Sequence, residues 1–172
     1  WSHHHFPVTC VINLDGGRLA AAAEDGQVVI MESFCSQTVA IIKFPHGVCS
    51  LTSLGSRIYA GSAIGTIYSV DLDAYAMHET EKQGATLTKR QRQQNQATIF
   101  DKTFVKAGDG EEGDSTRKYQ TDWIGHEHAV TAIAVVEEDS NERLISGDDV
   151  GTVRIWDVES RVCINVLHPW AT

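Results

Sequence analysis

At 172 residues, 42% of them hydrophobic, the chain has the size of one ordinary domain and enough apolar content for a packed core, which excludes disorder of the whole chain. A formal net charge of −9 opposes counterion-driven binding of a phosphate backbone across the whole surface. No apolar stretch reaches the roughly 20 residues that cross a bilayer as a helix, so no membrane is expected among the partners.

The chain opens on WSHHHF. Three consecutive histidines fit a purification-tag remnant, a metal site on His3 and His5, or the worn form of a Gly-His pair that starts a structural repeat. No carboxylate or Cys stands near His3 and His5 at metal-ligand spacing, and no metal or other cofactor is expected. The next stretch, PVTCVINLDGGRLAAAAEDGQVVIMES, reads as strand, turn, strand, Asp25-Gly26 turn and third strand. It predicts strands near 8–13, 18–23 and 28–32, with a fourth near 38–43.

GVCSLTSLGSRIYAGSAIGTIYSVDL repeats the plan, with Gly65 at the turn and strands near 48–52, 57–61 and 66–71. The two turn glycines recur about 40 residues apart, the period of a four-stranded propeller blade. After Asp71 the pattern stops until YQTDWIGH, where 119–124 reads as the missing fourth strand. Residues of about 73–116 are therefore an insertion between the third and fourth strands of one blade. Within it LTKRQRQQNQATIF is basic and Gln-rich, and AGDGEEGDST is acidic and Gly-rich like a linker. The insertion reads either as a solvated loop or as an accessory tether, in which Lys89, Arg90 and Arg92 meet RNA or an acidic partner while Ile99, Phe100 and Phe104 anchor in a groove. Any RNA contact is expected through this segment alone.

The clearest copy is the last, IGHEHAVTAIAVVEEDSNERLISGDDVGTVRIWDVESRVCINVL, with strands near 130–136, 143–147, 152–157 and 162–167. Gly-His, a Ser-Gly strand end, a turn at Gly151 and Trp156-Asp157 make it a WD repeat. Aligning Val8 with Val130 sets His4 on His126, so WSHHHF reads as a blade lead-in. The expected structural network comprises His4, Asp25, His126, Ser146 and Trp156, polar groups that tie strand register. The position just before Gly151 is Val150, where an Asp is expected, so no blade has the full set unless Asp148 or Asp149 substitutes.

The fold class is thus all-β, a WD-repeat β-propeller with about three blades: 1–45, 46–124 with the insertion, and 125–172 with the start of the next. Three blades cannot close a ring, so an excerpt of a seven-bladed protein is expected. Strand connectivity places His5, Phe6, His46, Glu127 and His128 on one rim with Glu24, Asp148 and Asp149. This is an acidic, His-bearing candidate surface for protein binding.

WSHHHFPVTCV, KFPHGVCSLTSLGSRIYAGSAIGTIYSVDL, WIGHEHAVTAIAV and LISGDDVGTVRIWDVESRVCINVL, in this order and with the insertion in this place, resemble the middle blades of the WD-repeat subunits of the rixosome. This is the family of WD repeat-containing protein 18 and the IPI-type pre-rRNA-processing proteins. The resemblance implies a non-catalytic scaffold in ribosome biogenesis that joins large-ribosomal-subunit precursors and supports removal of the internal transcribed spacer. It also implies a helical rixosome scaffold protein and the AAA ATPase midasin as partners, in the nucleus, nucleolus and nucleoplasm.

No phosphate loop, H-E-x-x-H or unassigned nucleophile-base pair supports an enzyme, the weakest reading being a propeller hydrolase on His3, His5 and a carboxylate. The alternative function is a WD-repeat substrate receptor or adaptor of a ubiquitin ligase or chromatin complex, which fold alone does not exclude. Four cysteines, Cys10, Cys35, Cys49 and Cys163, lie far apart with no C-x-x-C pair and read as packed thiols of a reducing compartment.

Overall fold

A computed structural model of the protein describes residues 6–34, 38–74, 120–138 and 141–168. Its strands form three four-stranded antiparallel sheets, each taking its strands in chain order. The first holds β1 (Val8–Leu14), β2 (Arg18–Ala23), β3 (Gln27–Glu32) and β4 (Thr38–Lys43). The second holds β5 (Val48–Leu54), β6 (Arg57–Ser62), β7 (Thr66–Asp71) and β8 (Gln120–Ile124), and the third β9 (Val130–Glu138), β10 (Asn141–Asp148), β11 (Val153–Asp157) and β12 (Cys163–Leu167). Every expected strand is present. The β9-β10 hairpin runs further out than its pattern predicted, pairing Asn141 with Glu138 beyond the apolar stretch.

Strand β8 pairs with β7 from Thr66↔Ile124 to Val70↔Gln120, so the second sheet closes across the insertion. The tether residues Lys89, Arg90, Arg92, Phe100 and Phe104 lie outside the described residues, as do His4 and His5.

Alternation along the strands explains how the sheets stack. In β6, Ile58 and Ala60 point into a core shared with the first sheet, where Ala20, Ala22, Val28, Ile30 and Phe44 meet Val48, Tyr68 and Val70. Between them Tyr59 points the other way, into a second core with Ile67, Trp123, Val130, Leu144 and Trp156. A strand buried on both faces needs an unbroken apolar run, which is why RIYAG lacks the apolar-polar alternation of a half-exposed strand. The far face of the third sheet is open: Ala134, Val136 and Leu167 are exposed, and Ile145, Val153 and Ile155 are only half covered.

The innermost strands β1, β5 and β9 contact one another in turn. Each carries the same irregularity, a register shift between Val8 and Cys10, between Val48 and Ser50, and opposite Gly147 and Asp148 in the third sheet. Beside it a hydroxyl reaches the next sheet: Thr9 Oγ1 donates to the Val48 carbonyl at 2.6 Å and Ser50 Oγ to the Val130 carbonyl at 2.7 Å.

Candidate functional site

The third sheet carries a closed chain of polar side chains. Trp156 Nε1 donates to Ser146 Oγ at 2.8 Å, Ser146 Oγ lies 2.7 Å from His126 Nε2, and His126 Nδ1 lies 2.9 Å from Asp148 Oδ2. Asp148 Oδ1 also accepts the Thr152 amide at 2.7 Å, which closes the turn before β11. Burial pushes the Asp148 carboxyl up, but the hydrogen bonds from His126 and from the Thr152 amide outweigh it and hold the group below the usual carboxylate range. An ionised carboxylate only accepts, so His126 donates from Nδ1 to Asp148, and Nε2 shares a hydrogen bond with the Ser146 hydroxyl. The hydrogen-bonded chain thus runs from Trp156 through Ser146 to His126 and Asp148.

Ser, His and Asp in this order resemble a nucleophile, base and orienter. Two facts decide against that chemistry here. Ser146 is 0% exposed, and its oxygen is already held by the Trp156 indole. No substrate reaches it; the set is a tie between strands.

Asp148 thus completes the network two residues before Val150, one of the two substitutions that the sequence left open. Its placement on the binding rim is corrected, because its side chain is 3% exposed and both carboxylate oxygens are engaged. Asp25 does not take the equivalent role. Its Oδ1 accepts the Gln27 amide at 3.0 Å as a local turn cap, and the residue aligned with Asp148 in the first sheet is Ala23.

Packing shows what replaces the network elsewhere. A Cβ placed on Gly26 would lie 2.6 Å from the Phe44 carbonyl oxygen and 2.7 Å from that of His46; on Gly65 it meets the carbonyls of His126 and His128 in the same way. Phe44 therefore occupies in the second sheet the place of His126 in the third, and His46 that of His128. Phe44 stacks on Tyr68 at 5.0 Å and 10° between planes, while Ser62, the counterpart of Asp148, takes the Ile64 and Thr66 amides on its hydroxyl. An aromatic stack and a hydroxyl turn cap thus stand where the third sheet has a His-Asp hydrogen bond.

Lead-in segments and the β2-β3, β6-β7 and β10-β11 turns share one rim, joined by amides of Glu24, Ala63 and Asp149 that donate to the carbonyls of Pro7, Gly47 and Ala129. Phe6, Glu24, His46, Glu127, His128 and Asp149 are exposed there. His46 Nδ1 lies 2.8 Å from Tyr68 Oη, which fixes its ring at the surface, and His128 Nδ1 lies 4.0 Å from Asp149 Oδ1 in a loose, half-exposed pair. Sequence reasoning missed the roles of Phe44 and Tyr68; the only signal was that both aromatics sit where the third repeat has His126 and Arg154. Among the described residues no group of three His, Cys, Asp or Glu has the arrangement of a metal site.

The depressed Asp148 carboxyl predicts an acid response. Its folded value lies below its unfolded value of about 3.9, so its contribution is complete above that value and is lost as pH falls through the folded one. Urea midpoints are expected to drop between pH 6 and pH 3 more steeply for the native protein than for Asp148→Asn. Equal slopes would show that Asp148 is not linked to folding.

The WD domain, G-beta repeat family (WD40) matches residues 117–157, which span β8 to β11. Over 97% of its length the chain is 25% identical to WD repeat-containing protein 18 of Mus musculus and 26% identical to that of Bos taurus. It spans 32% of the length of these curated relatives. Among solved structures, the RRP9 WD40 repeats superpose with a TM-score of 0.61 at 14% identity, covering 95% of this chain and 39% of that one. Together with the three sheets these likenesses establish the fold: the chain folds as blades of a WD-repeat β-propeller, and along 97% of its length it is similar to WD repeat-containing protein 18.

Proposed function

We propose that this chain belongs to a non-catalytic protein-interaction scaffold that works in ribosome biogenesis, in maturation of large-subunit precursors and processing of the internal transcribed spacer within a rixosome-like complex. The observation that carries the scaffold reading is the fate of the polar groups: the one arrangement with the residue types of a hydrolase among the described residues is sealed in the core, while the rim that carries Glu24, Glu127 and Asp149 is exposed. Likeness to WD repeat-containing protein 18 along 97% of the chain supports the ribosomal assignment. The partners that follow are a helical scaffold protein, the AAA ATPase midasin and the precursor particle. RNA is contacted only through the insertion, and the site of action is the nucleus, nucleolus and nucleoplasm.

Affinity purification with mass spectrometry tests this reading. Recovery of large-subunit precursors and the AAA ATPase is the expected result; recovery of a cullin-adaptor or chromatin set instead would replace it with the receptor reading. Within such a pull-down, Glu24→Lys with Asp149→Lys is expected to reduce partner capture about a hundredfold, since like charges at an interface cost several kcal/mol and each 1.4 kcal/mol is about a factor of ten. Reversal of Lys89, Arg90 and Arg92 is expected to do less. The opposite ranking would make the insertion the principal binding segment.

A further inference from the structure

On the rim opposite the acidic lead-ins, the β5-β6 and β9-β10 hairpins and the β11-β12 turn enclose a cleft between the second and third sheets. It has two chambers, of about 280 and 400 Å³, that share Arg57 and Asp71 as a common wall. Each chamber is lined by a residue that carries a buried polar atom without a close hydrogen-bond partner among the described residues: Trp123 with its Nε1 in the smaller, and Tyr59 with its Oη, which only Arg57 approaches, in the larger. Tyr59 is 0% exposed and Trp123 3%, so bulk water does not serve them. Buried polar groups are rarely left unpaired, and the contrast with Trp156, whose indole is held by Ser146, makes the orphan at Trp123 stand out.

The walls identify what would complete them. Trp123 Nε1 only donates and requires an acceptor. Burial pushes the Tyr59 phenol up; the hydrogen bond and charge of Arg57 oppose this, and the charges of Glu142 and Asp71 reinforce it. Asp71 is largely engaged: Oδ1 accepts the Asp73 and Ala74 amides and Oδ2 pairs loosely with Arg57 at 3.8 Å. Glu137 and Glu142 line the larger chamber with no ion-pair partner among the described residues. Counting Arg161 and Glu159 in the smaller chamber, four carboxylates face two guanidinium groups. That balance disfavours a phosphate and favours a cation.

We propose that this cleft is a docking site for a basic segment of a partner protein, with an arginine or lysine side chain held between Glu137 and Glu142 and a main-chain carbonyl taken by the Trp123 indole N–H. The volume suits one or two residues of a peptide. Arg161 adds a second indication. It is the only non-glycine with positive φ among the described residues, at 62°, and it lines the smaller chamber. A left-handed arginine is a strained choice where glycine is free of cost, and such strain clusters at binding sites. The site lies away from the acidic rim and does not depend on it.

The test titrates the ¹⁵N-labelled protein with acetyl-Gly-Gly-Arg-Gly-Gly-amide and with its Glu counterpart, following the tryptophan indole N–H resonances. The Arg peptide is expected to shift the Trp123 signal saturably and leave that of Trp156 in place, and the Glu peptide is expected to shift neither. Glu137→Gln with Glu142→Gln, both at exposed positions that do not threaten folding, should weaken binding about tenfold, the worth of one charge-assisted hydrogen bond. Glu24→Lys with Asp149→Lys on the opposite rim should leave it unchanged. Absence of a saturable shift, an equal shift from the Glu peptide, or loss of binding only in the opposite-rim variant would each overturn the proposal.

Discussion

Replacing His126 with phenylalanine is expected to destabilise the fold by about 3 kcal/mol, because it leaves a buried carboxylate with its principal partner gone. The ring itself is not the difficulty, since Phe44 fills the equivalent place in the second sheet and is 1% exposed. What differs is the residue opposite: Ser62 there, Asp148 here. The double variant His126→Phe with Asp148→Ser copies the second sheet's solution. It removes the charge along with its partner, and a serine hydroxyl takes over the turn amide as Ser62 does for Thr66 at 3.1 Å. Trp156 keeps its acceptor on Ser146. The double variant is therefore expected to be more stable than His126→Phe alone, with a coupling of about 2 kcal/mol between the two sites. Chemical denaturation of the four proteins of this cycle measures it. Additive losses would mean that His126 and Asp148 act separately and that the hydrogen-bonded chain is not a unit.

That cycle also marks where sequence reading reaches its limit. All three sheets were legible, because the turn glycines Gly26 and Gly65 recur at the blade period, Gly151 follows after a further blade length plus the insertion, and the apolar stretches around them carry the blade pattern. The His126, Ser146 and Trp156 positions were legible for the same reason. Asp148 was harder to place, since counting back from Gly151 puts Val150 where a carboxylate is expected. The structure uses the carboxylate at the end of β10 instead, where the strand leaves its register at Gly147/Asp148. Phe44 carried no polar signal, and its equivalence to His126 emerges only from the carbonyls that crowd Gly26 and Gly65. The cleft at Tyr59 and Trp123 was invisible for a different reason. Its walls come from two sheets, and Trp123 reaches it from the far side of the insertion, so no local spacing brings these residues together.

The carbonyls around Gly65 lead to the second large effect. Gly65 has φ 83° in the turn between β6 and β7, and a Cβ there would land on the His126 carbonyl oxygen and lie 3.1 Å from that of His128. Both obstacles are backbone of the segment that leads into the neighbouring sheet, which no side-chain rotation relieves. Gly65→Ala therefore combines a left-handed alanine with a forced separation of the second and third sheets, and a loss of about 3–4 kcal/mol is expected. Gly55, in the β5-β6 turn, is the control: its φ is 55° and nothing lies within 4 Å of an added Cβ. Gly55→Ala carries only the conformational term, about 1 kcal/mol. The difference between the two substitutions, read from thermal or urea unfolding, isolates the contribution of close contact between blades. It also predicts a structural signature, because pushing the His126 carbonyl outward draws the imidazole away from Asp148. Gly65→Ala should then lose the extra acid sensitivity that Asp148 confers, whereas Gly55→Ala should keep it. Equal losses in the two variants would show that the sheets do not meet at this turn as closely as the packing requires.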